Sequence, residues 1–142
     1  MRRRDFLLVP AAALGVMIAN VAASFFMVWV YATFIDPGQP LSYYQSFAEA
    51  AAPIGSVVAG IPLMLLAGYL LAKGREGRGA LLAAGATVLV YVTLDLAILI
   101  GAGASGSIWG WAALSHVTKL LSALAGAALR ARPAGSDGLP AH

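Results

Sequence analysis

Cysteine is absent from this 142-residue sequence, so neither a disulfide nor a thiolate metal site can be built from it. Charge is scarce as well. Only 11% of residues are Asp, Glu, Lys or Arg, against roughly 25% in a soluble domain, so the chain lacks the surface chemistry to sit in water. The six acids never stand as an adjacent pair suited to acid–base work, and the two histidines, His116 and His142, lack a metal-ligand spacing. Walker, Rossmann, zinc-helix and serine-hydrolase motifs are missing too. No cofactor, metal site or catalytic residue is therefore expected, and no soluble domain is left over.

What the chain does have is apolar length. Hydrophobic residues make up 61% of it, with a mean hydropathy of +0.84. Four runs carry the excess: Phe6–Phe34, Pro53–Ala72, Ala80–Gly101 and Ile108–Leu129. Each reaches the ~20 residues that a helix needs to cross a ~30 Å hydrocarbon core. None has the short alternating pattern of barrel strands. The expectation is all-α: an integral membrane four-helix bundle filling residues 1–130, followed by a disordered tail over 131–142.

The net charge of +3 invites a nucleic-acid reading, but its placement argues for topology. Arg2, Arg3 and Arg4 precede the first run, Lys73, Arg75 and Arg78 separate the second from the third, and Arg130 and Arg132 follow the fourth. The connections 35–52 and 102–107 contain no Lys or Arg. That is the positive-inside pattern, and it predicts four spans with both termini cytoplasmic, in an inner membrane. No nucleic-acid partner is expected, and no segment has the dense cluster of four or more cations usual for anionic-lipid recognition. Arg3-Arg4-Asp5-Phe6-Leu7 resembles a twin-arginine export signal, with Val21-Ala22-Ala23 as a small-residue cleavage site. The apolar run continues past that site, so an uncleaved first span is the preferred reading.

The first connection holds Asp36-Pro37-Gly38-Gln39-Pro40, which is turn chemistry. Ser42-x-x-Gln45 then matches a capping box. It predicts a short outer helix around Ser42–Ala51 that presents Tyr43, Tyr44 and Phe47, lying in the interface or running into the second span through Pro53. Pro62 should kink that span, and Ser56-x-x-x-Gly60 is a small-xxx-small pair that permits close helix approach. The short turns 73–79 and 102–107 predict two hairpins, of spans two with three and three with four.

Three ionisable residues stand inside the apolar runs: Asp95 in the third, His116 and Lys119 in the fourth. Charges at that depth are expensive, need partners, and are the default place to look for function. At ~1.5 Å per residue, Asn20 lies ~23 Å above Asp5, Asp95 ~24 Å above Gly79, His116 ~21 Å above Arg130 and Ser56 ~26 Å above Lys73. Lys119 sits lower, at ~17 Å, with a stem long enough to lift its amine toward Asp95. Thr87, Tyr91 and Asp95 recur every four residues on one stripe, while Ser115 and Ser122 flank His116 and Lys119 on another. Asn20, Ser56, Tyr91, Asp95, His116 and Lys119 thus form a candidate intramembrane polar cluster, in which Asp95 can meet His116 or Lys119 across the hairpin of spans three and four, with Lys119 the favoured counter-ion.

Three functions compete. An accessory or structural membrane protein fits the lack of soluble domains and the abundant Ala and Gly. Its partners would be the bilayer and a membrane-protein complex or further copies of itself. A small proton- or ion-coupled transporter would use the Asp/His/Lys cluster. In size the chain is close to the small four-span multidrug transporters, but their acid lies in the first helix, where this chain has Asn20 and no intramembrane acid. Their mechanism is therefore not carried over. A membrane-embedded enzyme built on His116 and Asp95 lacks a nucleophile or cofactor motif.

Overall fold

The computed structural model describes residues 5–104 and 106–131. They form four helices: α1 (Asp5–Val30), α2 (Leu41–Leu71), α3 (Gly77–Gly101) and α4 (Ile108–Arg130). All four are long and apolar enough to cross a membrane. Their outward faces carry large apolar side chains, among them Leu7, Phe25, Phe34 and Leu129, each at least 70% exposed. A soluble bundle would bury such faces; a lipid phase solvates them. The expected tail lies outside the described residues apart from Ala131, as do Arg2–Arg4 and His142.

α1 ends in one wider π-helical turn, Tyr31–Ile35, closed by the Asp36 amide donating to the Tyr31 carbonyl at 3.0 Å. The loop 36–40 is then tied by Tyr44. Its hydroxyl donates to the Asp36 carbonyl at 2.7 Å and accepts from the Gln39 amide at 3.1 Å. Tyr31 stacks on Phe47 with ring centroids 3.8 Å apart, fixing the end of α1 to the start of α2.

The segment around Ser42–Ala51 takes the second of its two expected courses and is no separate helix: α2 runs unbroken from Leu41 through Pro53 and Pro62 to Leu71. Ala48, Ala50, Ala51 and Ala52 favour continuation, and each proline removes one backbone donor without ending the helix. Nor does Ser42 cap it. Pro40 holds the N-cap position with extended backbone and no side-chain cap bond. The Tyr43 amide bonds the Pro40 carbonyl at 3.0 Å, so the loop's order comes from Tyr44.

The packing partners differ from the order of the turns. α2 is joined to α3 by the tight turn 73–76, with Gly74 at φ +71°, yet its most extensive seam is with α4. The two run parallel in steady register, Ser56 beside Ser115 and Gly60 beside Lys119. Further along, a Cβ added at Gly68 would overlap the Ala123 carbonyl, and one at Gly126 would overlap the Leu65 carbonyl. Backbone meets backbone at both glycines, the close approach that small residues permit in membrane bundles. α1 completes the bundle against α2 and α3.

Burial is uneven along the bundle. Buried residues run from Val9 to Asn20 on α1, Gly60 to Ala72 on α2, Ala80 to Tyr91 on α3 and Ser115 to Ala127 on α4. All lie toward the end marked by the turn 73–76 and by Arg130, whose guanidinium covers the Tyr69 ring at 4.5 Å. Beyond Asn20, Gly60, Tyr91 and Ser115, toward the opposite end, none of the described residues is buried. The polar side chains close the top of the packed core, at the last level where buried residues occur.

Candidate intramembrane polar site

Lys119 is the centre of this layer and is wholly buried. It reaches that position because α2 offers Gly60 opposite its stem, where any Cβ would collide with the lysine Cε. Its Nζ donates to Ser115 Oγ at 2.7 Å and to Ser56 Oγ at 2.9 Å. Ser115 lies one turn earlier on the same helix, so that bond follows from i,i+4 spacing. Ser56 comes from α2. The third neighbour is the Tyr91 ring of α3, whose centroid lies 4.6 Å from Nζ, within the range of a cation–π contact.

α1 contributes Asn20. Its Nδ2 donates to Ser56 Oγ at 3.2 Å and to Tyr91 Oη at 3.4 Å. The two serine hydroxyls are themselves 3.3 Å apart. Four helices thus converge on one group of hydroxyl, amide and amine atoms. One atom is left over: Asn20 Oδ1 is buried without a hydrogen-bond partner. Exchanging the amide oxygen and nitrogen would only move the unmet need to the other atom, since the same two hydroxyls serve whichever faces them.

Asp95 and His116 form the second part of the site. His116 Nε2 and Asp95 Oδ2 are 2.8 Å apart across the α3–α4 seam, with side chains 14% and 29% exposed. Asp95 stands one turn beyond Tyr91 on the same stripe, just past the buried core. It lies beyond the last buried level and is less enclosed than Lys119.

The six residues singled out from the sequence therefore fall into two adjoining sets: Asn20, Ser56, Tyr91 and Lys119 in one, Asp95 and His116 in the other. Of the two partners open to Asp95, the favoured Lys119 gives way to His116. Asp95 pairs with His116, and Lys119 is held by two hydroxyls and a ring face. The reason is reach. Gly60 lets the lysine stem lie flat against α2, which brings its amine to Ser56 rather than up to Asp95. Ser115 belongs to the layer and had appeared only as a flanking residue; its i,i+4 spacing to Lys119 was the available signal. Ser122 turns away, its hydroxyl donating to the Thr118 carbonyl at 2.8 Å.

Chemically, the site can hold or exchange a proton at the Asp95–His116 pair and can bond small polar groups at the Asn20 amide. Among the described residues, no three His, Asp or Glu side chains are grouped to hold a metal ion. Comparison of the chain with protein-family models, curated proteins and solved structures finds no match.

Proposed function

We propose that this chain is a multi-pass inner-membrane protein with both termini cytoplasmic, acting as an accessory or structural component whose polar layer dictates how its four helices meet. The observation that carries this reading is the burial of Lys119: its amine is met by hydroxyls of α2 and α4 and by the α3 ring, and α1 joins through Asn20. A buried amine held by three helices and tied through its partners to the fourth specifies one arrangement and penalises others, which is the best-attested use of a buried polar residue. The +3 charge and its segregation to alternate connections supply the orientation. Capture of stoichiometric membrane partners or further copies in mild detergent, lost when Lys119→Ala disorders the bundle, would support this role. A chain that purifies alone, with its packing unchanged by Lys119→Ala, would refute it.

A second reading, proton- or ion-coupled transport, is favoured by the Asp95–His116 pair. It is a 2.8 Å contact between two titratable groups placed where the packed core ends. Flux in proteoliposomes that disappears in Asp95→Asn, with the fold intact, would decide for transport. The absence of flux under imposed proton and sodium gradients would decide against it.

A further inference from the structure

A groove of about 640 Å³ runs along the seam between α1 and α2, in the half of the bundle that holds the packed core. Leucines of α2, among them Leu66 and Leu70, form one wall, and small α1 residues including Ala12 and Gly15 leave the opposite wall low. Along α1 it extends from Leu8 to Ala19, about 17 Å of helix, close to half of a ~30 Å hydrocarbon core. At the end where α2 turns into α3, its lining changes from hydrocarbon to Lys73 and Arg75.

We infer that this groove is a binding site for one anionic phospholipid, an acyl chain lying between α1 and α2 and the phosphate resting at Lys73 and Arg75. An apolar trough in a lipid phase demands an apolar occupant, and the cations at its mouth select the charge of the head attached to it. Basic pockets between transmembrane helices hold anionic headgroups by this combination. The length of the trough matches one leaflet, which fits a lipid rather than a crossing helix. Under the topology proposed above, the mouth faces the cytoplasmic leaflet, where anionic lipids give the surface its negative potential. The sequence shows no run of four cations, and the groove makes such a run unnecessary.

The test is native mass spectrometry of the full chain, released from bilayers of equal phosphatidylglycerol and phosphatidylcholine with matched acyl chains. The wild type should retain one phosphatidylglycerol in preference to phosphatidylcholine. Lys73→Glu should reduce that preference about tenfold. Gly15→Phe should abolish retention of either lipid without lowering thermal stability, because a Cβ at Gly15 meets nothing within 4 Å and its ring would fill the trough. Equal retention of both lipids by the wild type would overturn the charge selection, and undiminished retention in Gly15→Phe would overturn the location. A dimer that dissociates in Gly15→Phe would assign the groove to a second copy instead.

Discussion

Gly60 on α2 faces the stem of Lys119 on α4 so closely that a Cβ at residue 60 would overlap the lysine Cε and stand 3.3 Å from Cγ and 3.4 Å from Cδ. The buried amine therefore depends on a missing side chain on a different helix. Ser56 lies one turn away on that same face and accepts from Nζ at 2.9 Å. Space and hydrogen bond come from the same stripe of α2, so the small-xxx-small pair does two jobs: it lets α4 approach, and it seats the lysine.

Gly60→Ala should consequently destabilise the bundle by about 1–3 kcal/mol, the usual cost of overpacking a site where the neighbour can still shift. The lysine stem is flexible and can move aside, at the expense of its bonds to Ser56 and Ser115. Chemical unfolding in detergent would measure the loss. An unchanged midpoint would mean that Lys119 does not lie against α2.

Gly68 and Gly126 should be less forgiving. An added Cβ at either meets a backbone carbonyl of the partner helix, Ala123 or Leu65, and backbone cannot rotate aside. Gly68→Ala and Gly126→Ala are expected to cost ~3 kcal/mol or more. Gly85→Ala, where a Cβ meets nothing within 4 Å, should instead gain about 0.5–1 kcal/mol from helix propensity. The rank order of the three variants, read from thermal denaturation in one detergent, checks the parallel α2–α4 seam directly.

The lysine itself separates shape from charge. Lys119→Met keeps most of the volume and removes the amine; Ser56 and Ser115, 3.3 Å apart, can then bond each other. Replacing a buried charge by an apolar group of similar size is commonly neutral or stabilising by about 1–4 kcal/mol, and that is the expected result. Lys119→Ala leaves a cavity and should cost ~2–5 kcal/mol. Ser56→Ala, which strips a hydroxyl from a retained lysine, should cost about 1–3 kcal/mol. If Lys119→Met proves as damaging as Lys119→Ala, the amine contributes net stability and the proposed balance is wrong.

The four spans were legible because apolar length is a one-dimensional property, readable without knowing any contact. The start of α2 was legible only as one of two courses. Ser42, Tyr43, Tyr44 and Gln45 look interfacial by composition, and only the Tyr44 clamp on Asp36 and Gln39 shows that they open a long helix. Depth arithmetic placed Asn20, Ser56 and Asp95 at similar heights, since rise per residue is nearly constant. It could not give azimuth. The seam of α2 with α4 rather than α3 depends on Gly60, Gly68 and Gly126 facing one another, a relation between distant segments that loop length does not encode. The choice between His116 and Lys119 as the partner of Asp95 was hidden for the same reason: Lys119 has the reach, but Gly60 directs its stem elsewhere.

That exchange of partners gives the most discriminating measurement. Asp95 and His116 share a 2.8 Å contact across α3 and α4, so a double-mutant cycle built from Asp95→Asn and His116→Gln should show a coupling of about 0.5–3 kcal/mol. The parallel cycle of Asp95→Asn with Lys119→Met should couple more weakly, because the amine is committed to Ser56 and Ser115. Both cycles share one variant and can be run in the same detergent, which removes systematic differences in the unfolded reference. The sequence alone favours the opposite ranking, since a lysine is the stronger counter-ion for an aspartate. A larger coupling to Lys119 than to His116 would mean that the amine leaves its hydroxyls for Asp95, and the two sets of the polar layer would then be one.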